Sequence, residues 1–60
     1  MTKIEYNSLK EGQKVITNNL RKNRVLTFKS KSDIMEDMAY CLDENGMAEE
    51  ILYVFLEFSR

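Results

Sequence analysis

Histidine, tryptophan and proline are absent from the 60-residue sequence, cysteine occurs once, and glycine occurs twice. Without histidine, neither a Ser-His-Asp nor a Cys-His arrangement can be assembled, which removes the commonest ways of activating a nucleophile. A single cysteine cannot close an internal disulfide, and with no second thiol or imidazole there is no ligand set for a structural zinc. Gly12 and Gly46 stand alone, so neither the P-loop nor the dinucleotide-binding pattern occurs. Asp43-Glu44-Asn45-Gly46 faintly resembles a calcium loop. Placing Gly46 at the loop's sixth position puts Cys41 first and Leu52 twelfth, where carboxylates are required.

The longest apolar run, Ile51 to Leu56, is six residues, against the roughly 20 that a membrane helix needs. No Lys/Arg-led apolar stretch opens the chain as a secretory signal would. These absences predict no catalytic residue, no metal, no cofactor and no membrane partner. Lone Cys41 suits a reducing compartment, so the expected location is cytoplasmic. Met1 to Arg60 reads as a complete small gene product forming a single domain, with no linker and no internal repeat.

What is present is a globular balance: 43% hydrophobic and 32% charged residues. A chain this short buries only about 60% of its unfolded surface, so without staples it needs an efficient core or a partner. The charges are sorted along the chain. Residues 1–32 carry eight cations (Lys3, Lys10, Lys14, Arg21, Lys22, Arg24, Lys29 and Lys31) against Glu5 and Glu11, a net +6. Residues 33–60 carry Asp33, Glu36, Asp37, Asp43, Glu44, Glu49, Glu50 and Glu57 against Arg60, a net −7. The formal −1 of the whole conceals this division. It predicts two surfaces of opposite sign, a property that bears on partners rather than on fold.

The hydrophobic pattern predicts strands in the first half. Ile4 and Tyr6 alternate with Lys3 and Glu5 over residues 2–9, Lys14-Val15-Ile16-Thr17 is rich in β-branched residues, and residues 24–29 place Leu26 and Phe28 inward. Gly12 supplies a turn between the first two. A helix over residues 8–23, with Leu9, Ile16 and Leu20 on one stripe, is the competing reading.

The second half reads as helical. Ser32 is placed to cap a helix, Asp33, Glu36 and Asp37 suit its first turn, and Ile34, Met35, Met38, Cys41 and Leu42 fall on one helical face. Gly46 would terminate it, and Met35, Met38 and Met47 would gather at the corner before a second helix over residues 48–58. The expected architecture is therefore α+β: a small antiparallel β-meander over residues 2–30 followed by a C-terminal helical hairpin. The alternative makes the last segment a strand joining the sheet.

On this frame the expected function is that of a small non-enzymatic regulatory or inhibitor protein. It would bind another protein with a basic surface through an acidic helical face of Asp33, Glu36, Asp37, Tyr40 and Glu44. Such a row can imitate phosphates, and Tyr40 can anchor it. Inhibitors and adaptors, those of mobile elements among them, are often this small. Cys41, on the apolar face, reads as a buried small hydrophobe. The alternative is a nucleic-acid-binding module using Arg21, Lys22, Arg24, Lys29 and Lys31, although stacking aromatics are few in that half. A homodimer, supplying core that sixty residues lack, is a third expectation.

Overall fold

A computed structural model describes residues 1–18 and 23–59. The chain forms a short helix α1 (Lys3–Asn7), then strands β1 (Lys14–Thr17), β2 (Val25–Lys31), β3 (Met38–Leu42) and β4 (Ala48–Leu52). A 3-10 turn at Tyr53–Phe55 leads into β5 (Leu56–Phe58). The strands make one antiparallel sheet in the order β4-β3-β2-β1-β5. The structure is thus mostly β, and the expected helical hairpin is overturned.

The connection from β4 to β5 shows that the sheet is curled. In a flat sheet, four strand spacings would separate these two edges by about 19 Å. Three residues in a 3-10 turn link Leu52 to Leu56, and even a fully extended link of that length spans only about 14 Å. The edges therefore bend toward each other, and the extents of 23 × 21 × 19 Å fit that shape. The concave side holds Val15, Leu26, Phe28, Ala39, Cys41 and Leu56, with Tyr6 from α1 completing the core. A bulge at Lys29, between the register pairs Phe28–Cys41 and Ser30–Tyr40, bends the long strand β2.

Residues 2–9 form no strand. Thr2 and Glu5 build a capping box: the Thr2 hydroxyl accepts from the Glu5 amide, and the Glu5 carboxylate accepts from the Thr2 amide. In the resulting helix, positions two apart lie on opposite sides, so Tyr6 is buried while Ile4 is 82% exposed. The expected strands at 14–17 and 24–29 correspond to β1 and β2, with Leu26 and Phe28 inward. The Lys10–Gln13 turn is closed by the Gln13 amide on the Lys10 carbonyl at 3.1 Å, with Gly12 at φ +90°.

The helix expected from Ser32 is absent because β3 pairs along both sides, with β2 and with β4. Ile34 and Cys41, assigned to one helical face, have opposite fates: Ile34 is 85% exposed and Cys41 fully buried. The second expected helix divides into β4, the 3-10 turn and β5. Met35 and Met47, expected at one corner, lie before and after β3, each exposed.

Candidate functional site

The segment between β2 and β3, residues 32–37, is held in place at several points. The buried Ser32 hydroxyl accepts from the amides of Ile34 (3.1 Å) and Met35 (3.5 Å) and donates to Glu50 Oε2 on β4 at 2.8 Å. Tyr6 Oη donates to the carbonyls of Glu36 (2.7 Å) and Met38 (2.9 Å). The Tyr53 amide donates to the Asp37 carbonyl at 3.1 Å, and Lys3 Nζ pairs with the Asp37 carboxylate. Despite these ties, Ile34 and Met35 remain exposed. Ordered backbone presenting apolar side chains to water contributes little to the monomer's own stability.

Ile34 stands at the border of the sheet's outer face. With Ser30, Ser32, Asp33, Tyr40 and Glu50 it lines a groove of about 240 Å³. Tyr40 stands between Ser30 and Glu50 in the sheet register, and Met38 and Leu52 form the neighbouring pair on that face. Lys31 also borders the groove, but its ammonium sits 5.2 Å from the Tyr6 ring and donates to Asn7 Oδ1 at 2.7 Å. The groove therefore combines apolar Ile34 and Tyr40 with the carboxylates of Asp33 and Glu50.

The expected acidic row is not one face. Asp33, Glu36 and Asp37 belong to the β2–β3 loop, Tyr40 to β3, and Glu44 to the β3–β4 turn at the strand's far end. Glu44 borders a different groove of about 460 Å³, together with Asn23 to Leu26, Asp43 and Asn45. Glu50, absent from the expected site, joins it through the Tyr40–Glu50 pairing.

The cationic residues are dispersed too. Arg24 makes a two-pronged contact with Glu49, at 2.5 and 2.6 Å. That contact holds the guanidinium above its ordinary pKa and the Glu49 carboxyl below its own. Lys29 pairs with Glu11 at 3.2 Å. Arg21 and Lys22 lie outside the described residues. The sheet order explains the mixing: β1 and β2, from the cationic half, lie between β3–β4 on one side and β5 on the other. Sequence halves therefore do not become separate faces.

Among the described residues, no group of three or more His, Cys, Asp or Glu is placed to hold a metal ion, and no helix is long and apolar enough to cross a membrane. Cys41 is buried, and burial pushes its thiol pKa up to about 11. Comparison with protein-family models, curated proteins and solved structures returned no match.

Proposed function

We propose that this chain is a non-enzymatic regulator of the inhibitor type that binds another protein through the outer face of β3–β4 and the loop of residues 32–37. The observation carrying this reading is the anchored loop that leaves Ile34 85% exposed beside Tyr40. A preorganised apolar contact avoids much of the ordering cost of association. The carboxylates of Asp33, Glu36 and Glu50 around it favour a basic partner and speed its approach. Of the earlier candidates, Asp33, Glu36, Asp37 and Tyr40 stay in this proposal, and Glu44 leaves it.

The nucleic-acid reading has less support, because Arg24 and Lys29 are ion-paired and Lys31 is drawn onto the Tyr6 ring. The test is affinity capture from native lysate, with and without nuclease, using the wild-type protein, Tyr40→Ser and Glu44→Ala. A protein retained by wild type and Glu44→Ala but lost from Tyr40→Ser, independently of nuclease, supports the proposal. Equal retention by all three, retention that nuclease abolishes, or no retained protein rejects it.

A further inference from the structure

The two edges of the sheet are finished differently. At the β5 edge, the Met1 amino group donates to the carbonyls of Tyr53 and Leu56. At β4 no such cover is present among the described residues. Asp43 N–H donates to Met47 at 2.9 Å and Tyr53 N–H to Asp37 at 3.1 Å, which fixes the alternation of the β3–β4 ladder between them. Glu49 and Ile51 therefore turn their N–H and C=O groups toward β3, and Ala48, Glu50 and Leu52 turn theirs outward. Among the described residues, the outward N–H and C=O of Ala48 and Glu50 and the N–H of Leu52 have no hydrogen-bond partner, while the Leu52 C=O caps the 3-10 turn. The side chains of the same three residues stand on the outer face with Tyr40 and Met38.

A second copy paired about Glu50 is a poor occupant for this edge. A twofold antiparallel pairing centred on Glu50 would set two Glu50 carboxylates directly opposite each other, a destabilising cross-strand pair. The charge that disfavours self-pairing suits a cation. Glu50 Oε2 accepts from Ser32, and Oε1 has no partner among the described residues.

We infer that β4 accepts an extended strand from a partner protein, with a Lys or Arg opposite Glu50 and an apolar side chain opposite Leu52. The strand extends the sheet through the backbone groups of Ala48 and Glu50 and the N–H of Leu52, and its alternate side chains supply specificity. This rests on the outer face being the binding surface, and adds the chemistry of what is bound.

The probe is a capped peptide, Thr-Val-Thr-Lys-Thr-Val-Thr, titrated into isotope-labelled protein and followed by NMR shifts and amide exchange. The expected result is saturable binding with the Glu50 and Leu52 amides slowed at least about tenfold in exchange, the sign of new ladder bonds. Replacing the peptide's Lys by Glu weakens binding at least about tenfold, and Glu50→Lys reverses the preference between the two peptides. N-methylation of the peptide backbone abolishes binding while keeping its charge. Absence of binding, equal binding of the Lys and Glu peptides, or shifts without slowed exchange at Glu50 and Leu52 overturns the inference. Tyr40-dependent capture of a protein would survive that outcome. Peptide binding without Tyr40-dependent capture would instead remove the broader reading.

Discussion

The rings of Tyr6 and Tyr53 stack with centroids 5.1 Å apart and planes 15° from parallel. Tyr6 belongs to α1 and Tyr53 to the 3-10 turn, so this contact joins the start of the chain to the link between β4 and β5. Lys3 Nζ lies 5.7 Å from the first ring centroid and 5.1 Å from the second, and pairs with Asp37. The stack thus ties α1, the curled sheet's closing link and the presented loop into one cluster.

Tyr6→Phe keeps the stack and removes the hydroxyl that bridges Glu36 and Met38. The partly buried Glu36 carbonyl then loses its donor, while the Met38 carbonyl keeps the Ser32 amide, and unfolding free energy should fall by about 1–3 kcal/mol in urea denaturation. Amide exchange in residues 36–38 should accelerate more than exchange in β1. Equal acceleration throughout would mean that the hydroxyl stabilises the fold without specifically fixing the loop.

The Arg24–Glu49 pair should contribute modestly despite its two-pronged geometry. Its side chains are 42% and 29% exposed, so Arg24→Ala should cost no more than about 1 kcal/mol, and less in high salt. The pH dependence has a definite sign. Glu49 titrates below its ordinary value because Arg24 hydrogen-bonds it, and Glu5 does so because the Thr2 amide does. Depressed carboxyls stabilise the fold above their unfolded pKa, and the contribution is lost as pH falls through the folded values. Thermal midpoints measured downward from pH 6 should drop through the acid range, and Glu49→Gln should flatten part of that drop.

Much of β1 and β2 is legible because Val15, Ile16 and Thr17 are β-branched and because Leu26 and Phe28 lie two apart around Thr27. β3 is not. All five residues of Met38-Ala39-Tyr40-Cys41-Leu42 are apolar, and the sheet buries the small Ala39 and Cys41 while turning Tyr40 outward. Hydrophobicity alone cannot show that alternation, and the same residues satisfy a helical stripe. β4 hides behind Glu49 and Glu50, poor strand formers that are accommodated by Arg24 and by an open edge. The Ser32 cap is legible in its chemistry but not its context: the hydroxyl meets the Ile34 and Met35 amides in a turn between strands. The Thr2–Glu5 capping box was available as a sequence signal and outranks the two-residue alternation around it. The outer-face groove depends on Tyr40 meeting Glu50 across a hairpin, a pairing that no local pattern specifies.

Cys41 should be silent toward thiol reagents in the folded protein. It is fully buried, and its pKa of about 11 leaves little thiolate near neutral pH. Labelling by a chromogenic disulfide should therefore follow global unfolding, rising with urea in step with the loss of β-sheet circular dichroism. Rapid labelling without urea would reveal local opening between β2 and β4, the two neighbours of β3.

Ile34→Ser and Ser32→Ala separate presentation from support. Ile34 is 85% exposed and accepts no structural role beyond its backbone bond to Ser32, so Ile34→Ser should leave the urea midpoint within about 0.5 kcal/mol of wild type. Binding to the captured partner should nevertheless weaken severalfold. Ser32→Ala removes the acceptor for two amides and the donor to Glu50. It should cost about 0.5–2 kcal/mol, comparable to loss of a helix cap, and weaken binding by releasing the loop and reorienting Glu50. Stability and affinity measured together on both proteins give the decisive comparison. An Ile34→Ser protein that binds normally would show that the exposed side chain is not a contact. A Ser32→Ala protein with normal affinity would show that the loop's anchoring is not needed for recognition.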